Sequence, residues 1–152
     1  MKGPTAKLVN LLIGKSILET ILVGAIAVVV HFNLFPPVFQ GWGEAVVETR
    51  TIQGWVVNYA KPWDRVEVAL YIDGRFIRRD IATHNRPDVL AAGWSDDAYH
   101  GYGFEVPTKE PGIHEARVYA VHGSGDGDRY TLQLVGDPIK FKIKNDGSWE
   151  KP

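Results

Sequence analysis

The side chains able to do chemistry in this 152-residue chain are few and scattered. Cysteine is absent, which removes disulfides, thiolate metal sites and cysteine nucleophiles. His84, His100, His114 and His122, with Asp96 and Asp97, are the candidate metal ligands. Their spacings fit no ligand pattern such as His-Glu-x-x-His, and His114 and His122 fall at opposite ends of one expected strand. Asp126-Gly127-Asp128 has the start of an acidic cation loop without its later oxygen ligands, so a tight turn is expected there. Ser16, Ser95, Ser124 and Ser148 lack the strand-turn-helix elbow of a serine nucleophile. No catalytic residue and no metal site is therefore expected, and the chain reads as a non-enzyme.

What remains is chemistry of contact. Trp94, Tyr99, Tyr102 and Phe104 lie on or just after a long segment, residues 83–102, rich in turn formers. Exposed Trp and Tyr give large contact area at low rotamer cost, so Trp94, Tyr99 and Tyr102 are expected to anchor a protein partner or stack on a sugar face. Trp55, beside Gly54 in a strand pattern, is read as core. The formal charge of -1, with no basic stripe in the polar part, gives no case for nucleic acid.

The elements that position these residues begin with an anchor. Residues 16–35 are almost wholly apolar, and twenty helical residues span about 30 Å, the thickness of a hydrocarbon core. Pro36 and Pro37 stop the helix. Lys2, Lys7 and Lys15 precede the span and no Lys or Arg follows before Arg50. The positive-inside bias thus places the N-terminus in the cytoplasm and the rest outside a bacterial inner membrane, in contact with the lipid bilayer. Glu19 is expected to pair with Lys15 at i, i+4 near the cytoplasmic surface. Gly24, Ala25 and Ala27 would let partner spans approach closely. Ala25-Ile26-Ala27 suits a signal peptidase, but Val28, Val29 and Val30 carry the apolar run through it, so a retained anchor is expected. Gly14 and Glu19 resemble a prepilin processing site, although Lys15 stands where pilins carry Phe or Met, and Pro36 ends the helix.

An ionisable residue inside such a span is a functional candidate. Ala27, His31 and Phe35 are spaced four apart, which resembles the His motif of light-harvesting polypeptides. The resemblance covers about ten residues and implies a bacteriochlorophyll or haem contact at His31; no other cofactor is expected.

Beyond a hinge at residues 37–43, short runs alternate apolar and polar at 45–49, 51–58, 65–72, 75–81, 103–106, 113–122, 130–135 and 139–143. Their β-branched and aromatic content predicts an antiparallel sandwich over residues 44–144, with a tail at 145–152. Asp73-Gly74 predicts a type I′ hairpin turn. Gly54-Trp55, Arg86-Pro87-Asp88-Val89, Gly101-Tyr102-Gly103-Phe104 and Gly112-Ile113-His114 follow in an order that resembles bacterial Ig-like modules of exported proteins. The fold expected is thus an all-β, Ig-like antiparallel sandwich preceded by one transmembrane α-helix (residues 1–36). The resemblance implies adhesion, spacing or docking and carries no catalytic residues. The function expected is a single-span accessory or scaffolding subunit among integral membrane proteins, photosynthetic or respiratory if His31 holds a pigment. The alternative is a membrane-tethered glycan- or peptidoglycan-binding module, against which the short hinge counts.

Overall fold

The computed structural model describes residues 4–34, 38–107, 110–124 and 129–152, the side chains at 4, 31–34 and 124 excepted. Two compact units emerge, Met1–Pro36 and Pro37–Pro152. The first is a single helix, α1 (Pro4–Leu34), of 31 residues. Its stretch Thr5–Val30 is long and apolar enough to cross a membrane. At 1.5 Å per residue the helix measures about 46 Å, against about 30 Å of hydrocarbon, so a spanning α1 must tilt or project.

The helix begins well before the run at residue 16, because residues 8–13 continue its apolar surface. Lys15 and Glu19 therefore sit near the middle of the apolar stretch and not at one end of it. They pair at 3.5 Å, and the Thr20 hydroxyl donates to the Ser16 carbonyl at 2.9 Å. Both contacts satisfy polar groups within one helix, as an apolar solvent requires.

The second unit runs β1 (Phe39–Val46), β2 (Thr51–Asn58), β3 (Glu67–Ile72), β4 (Arg75–Ile81), β5 (His84–Asn85), α2 (Pro87–Ala91), β6 (Tyr99–Glu105), β7 (Gly112–Ser124), β8 (Arg129–Leu134), β9 (Ile139–Ile143) and β10 (Trp149–Glu150). The first sheet has the order β1-β2-β6-β5 and the second β10-β9-β7-β3-β4, with β8 also paired to β7. Every ladder is antiparallel. Ile52, Val56 and Phe104 of the first sheet share one core with Val68, Leu70, Val118 and Phe141 of the second, so the architecture is sandwich-like. Strand alternation produces this: in β3, Val68, Leu70 and Ile72 are buried toward the core while Glu67 and Tyr71 face out half-exposed.

Three segments differ from their sequence-based expectation. Most of the expected hinge is strand, since β1 starts at Phe39; its two glycines hide the alternation. Part of the expected tail is β10, whose Trp149 is buried and stacks on Phe141 at 4.4 Å. The long segment, which the sequence suits to a loop with one helical turn over Pro87–Ala92, has that turn as α2 and adds β5 and the start of β6. The Asp73-Gly74 turn has φ of 50° and 77°, the left-handed pair a type I′ hairpin requires. The expected turn at Asp126-Gly127-Asp128, the stop at Pro36-Pro37 and the Phe35 position lie outside the described residues.

Glycine placement shapes the first sheet. Gly43, Gly54 and Tyr102 stand side by side on three adjacent strands, in register. The Tyr102 ring lies across both glycines, and a Cβ at either would overlap its phenol. The phenol is 2 % exposed and donates to the Trp42 carbonyl at 3.3 Å. Burial pushes its pKa up, so it stays a neutral donor. Between the sheets, the Gln133 side chain acts as an extra strand residue: its Nε2 donates to the Phe39 carbonyl at 3.0 Å, and the Phe39 N–H donates to its Oε1 at 3.4 Å.

Candidate functional site

The outward side chains of the first sheet form its main feature. In β2 the core takes Ile52, Gly54 and Val56, so Gln53 and Trp55 point outward. Trp42 of β1 lies directly opposite Trp55, and Gly101 of β6 opposite it on the other side. Trp55 is therefore not a core residue. It is half-exposed and stacks on Trp94, with centroids 6.2 Å apart and planes inclined by 29°. Trp42 remains 46 % and Trp94 38 % exposed.

Trp94 reaches this row because the long segment folds back over the sheet. Pro87 opens α2 and Val89 is buried beneath it. The Arg86 guanidinium grips Asp88 with two hydrogen bonds, at 2.8 and 2.6 Å. That fork holds the Asp88 carboxyl at about 2, with desolvation a weaker, opposing influence. The Arg86 stem crosses Gly101, where a Cβ would fall 2.7 Å from its Cγ, and His84 covers Gly103 in the same way. The Arg-Pro-Asp-Val and Gly-Tyr-Gly-Phe motifs thus dock one onto the other. Around the free edge of β1, Trp42 also walls a cleft of about 340 Å³ with Asp137 and Pro138, beside the Glu44–Lys151 ion pair at 3.8 Å.

Of the three aromatic residues singled out in the sequence, the structure exposes two. Tyr102 points into the core and is not available to a partner. Tyr99 is exposed, with the Arg65 guanidinium 6.0 Å from its ring, at one end of the sheet. Trp94 belongs to the outer row instead. Trp42 has the residue type and position of a ring at a membrane interface, but the glycines of β1 hide its strand; a Trp beside Gly suggests burial for Trp55, and the alternation Ile52-x-Gly54-x-Val56 is the signal that turns it outward.

The histidines do not converge, and among the described residues no three His, Asp or Glu side chains gather as metal ligands. His100 is fully buried; its Nε2 faces the Arg65 Nη1–H at 3.3 Å, while Arg65 also binds Asp97 at 2.8 Å. Burial and Arg65 hold its pKa down against Asp97, Asp96 and the Pro62 carbonyl, so it is a neutral acceptor. His122 lies against Phe39, with centroids 6.3 Å apart. His114, at the start of β7, has its Nδ1 2.7 Å from the Asp73 carboxylate and its Nε2 2.8 Å from the Glu110 carbonyl. Two acceptors leave room only for the doubly protonated ring.

In α1, helical spacing puts Ser16, Thr20, Gly24, Ala27 and His31 on one side and Ala25 away from them. Ala27 and His31 are one turn apart, as the pigment motif needs; the His31 side chain lies outside the description.

One similarity to known proteins was found. Over 84 residues, 54 % of this chain, the sequence is 32 % identical to a Dictyostelium discoideum protein described as a PAN2-PAN3 deadenylation complex subunit pan3. The chain spans only 11 % of that protein's length. No known family profile and no solved structure matches.

Proposed function

We propose that this chain is a non-catalytic, single-span accessory subunit of a larger membrane assembly, with an Ig-like domain held close to the exoplasmic surface of a bacterial inner membrane. The observation that carries this reading is the connection: only residues 35–38 separate α1 from β1. Such a link reaches at most about 18 Å, so the domain meets only what lies beside the anchor. Three features add support. The stripe Ser16, Thr20, Gly24, Ala27, His31 is small and polar, suited to close packing against other spans. Lys15 and Glu19 lie amid apolar residues, where a partner helix would shield them. The succession β1-β2-β6-β5 against β4-β3-β7-β8 resembles the ABED and C′CFG strands of Ig-like domains, with β9 and β10 additional, and the His114 bond to the Glu110 carbonyl resembles their tyrosine corner. A chlorin or haem at His31 is compatible with this assembly but not required by it.

The test is purification of the tagged full chain in mild detergent. Integral membrane proteins are expected to co-elute in stoichiometric amounts. Gly24→Leu should reduce that yield about tenfold, roughly 1.4 kcal/mol of lost packing, while Ala25→Leu on the other side leaves it unchanged. A chain that elutes alone sinks the subunit reading.

The row Trp42, Trp55, Trp94 favours a second reading, a membrane-tethered glycan- or peptidoglycan-binding module, because flat indoles flanked by Gln53 and Glu44 suit a pyranose face. Muropeptide titration of the full chain in micelles should then quench Trp fluorescence in wild type and not in Trp42→Ala. Unchanged fluorescence in wild type excludes this second reading.

A further inference from the structure

The chain enters the domain at one end of the sandwich, and that end is unlike the other. Val38 is the first described residue after α1, and its carbonyl accepts the Tyr59 N–H at 3.0 Å. The loop at residues 59–66, which follows β2, therefore begins beside the entry point. It carries Tyr59 and Trp63, 61 % and 58 % exposed, and Val38 is exposed as well. Tyr99, exposed at the start of β6, joins them through Arg65 of the same loop, whose guanidinium lies over its ring. Among the described residues neither Tyr59 nor Trp63 stacks on another ring. At the opposite end, about 23 Å away along β2, the turns at residues 48–50, 73–74 and 145–147 are polar throughout. The exposed apolar side chains nearest to those turns, Phe76 and Ile113, stand on strands.

The loop that presents these rings is fixed from beneath. The buried Asn58 side chain accepts the Ala60 N–H at 3.0 Å, and the Asn58 carbonyl accepts the Lys61 N–H at 3.1 Å. The Lys61 carbonyl accepts the Asp64 N–H at 3.0 Å. Arg65 then ties the end of the loop to Asp97 and to the buried His100 ring. Two large rings are thus held in solvent by an ordered backbone. Charge around the loop nearly cancels among the described residues: Lys61 pairs with Asp64 at 3.9 Å and Arg65 with Asp97 at 2.8 Å, while Asp96 is exposed beside them.

We propose that this end of the domain rests in the headgroup layer of the bilayer that α1 crosses, with Tyr59 and Trp63 as its interfacial anchors and Val38 and Tyr99 beside them. The length of chain between anchor and domain names the occupant. Residues 35–38 are the whole connection, so the entry end stays within about 18 Å of the end of α1, where lipid surrounds the helix. Indole and phenol rings settle at that boundary because the ring body leaves water while its N–H or O–H still reaches it. With charge nearly cancelled, the contact draws on ring burial and does not require anionic lipid. At the effective concentration that so short a link sets, weak partition of a few side chains is enough. This inference rests on the membrane reading of α1 and not on any partner protein.

Because the chain has no cysteine, a single reporter can be placed at either end of the domain. A bimane fluorophore is attached at Lys61→Cys in the loop, or at Glu48→Cys in the far turn, and the full chain is reconstituted in phosphatidylcholine nanodiscs with and without a headgroup-nitroxide lipid. The nitroxide should quench the reporter at 61 at least about threefold more than the one at 48, in about 0.1 M and about 0.5 M salt alike. Tyr59→Ser with Trp63→Ser should bring quenching at 61 down to the level at 48 and leave thermal unfolding of the domain unchanged, since both side chains are exposed. Equal quenching at the two positions overturns the proposal, as does stronger quenching at 48, a double variant quenched like the wild type, or quenching that needs a co-purified membrane protein. If instead the chain fails to insert into the discs, the membrane reading of α1 falls, and the proposal falls with it.

Discussion

Gly54→Ala is expected to destabilise the domain by about 3 kcal/mol, a fall of about 10–15 °C in Tm, measured by thermal unfolding of the full chain in micelles. The new Cβ would overlap the Trp42 backbone carbonyl and the Tyr102 ring together. A flexible side chain could yield to such a clash, but here one of the two obstacles is main chain in the neighbouring strand. Relief requires β1 to move away from β2, which breaks the phenol's hydrogen bond to Trp42 and leaves a buried hydroxyl unpaired. Gly74→Ala serves as the contrast. Its Cβ would meet open space, and only the positive φ of 77° is penalised, at about 1 kcal/mol. Equal losses in the two variants would show that crowding against Tyr102 is not what demands glycine at 54.

The second large effect is on pH dependence and comes from His114. The Asp73 carboxylate raises its pKa, burial opposes, and the Glu110 carbonyl adds to the rise. For Asp73, burial pushes upward, but hydrogen bonds from His114 and the Glu115 N–H prevail and bring it below its ordinary value. Arg75, acting on Asp73, and the Glu110 carboxylate, acting on His114, are the other charged groups facing the pair, and the Phe141 ring stacks 5.5 Å from the imidazole. A raised His pKa contributes stability that is complete below the unfolded value of 6.5 and disappears as pH rises through the folded value. A lowered Asp pKa contributes stability that is present above 3.8 and lost as pH falls through the folded value. Urea unfolding of the full chain in micelles should therefore show stability declining from about pH 6.5 upward. His114→Gln should abolish that decline and cost about 2 kcal/mol at pH 6, because charge-assisted hydrogen bonds are among the stronger ones. Long-range proton–nitrogen NMR should find both ring nitrogens protonated at pH 6; a neutral ring there would refute this account.

The sequence made the strands legible where alternation and turn chemistry agreed. β2 and β9 occupy the residues expected, and Asp73-Gly74 fixed the β3–β4 hairpin because few residue pairs accept two positive φ values. It concealed β1, since Gly41 and Gly43 replace the side chains by which alternation is recognised. Those glycines are required by neighbours distant in sequence: a Cβ at 41 would strike Val135, and one at 43 the Tyr102 phenol. The contact face was half legible for a related reason. Residue type marked Trp94 and Tyr99 as exposed anchors, but Tyr102 has the same composition cue and the opposite direction, set by its place opposite Gly54.

The Gln133 amide gives the domain a mechanical character. Any tension transmitted along the chain from α1 would reach the domain at Val38 and Phe39, where β1 begins. The first links to take that load are the two Gln133 bonds and the Tyr59 N–H to Val38 carbonyl bond at 3.0 Å. Because Gln133 belongs to β8 of the opposite sheet, force arriving on β1 is divided between both layers of the sandwich before the β1–β2 ladder begins to open. A pull on this end of β1 would thus be resisted in part by a side chain, which can let go and rebind without any strand leaving its sheet.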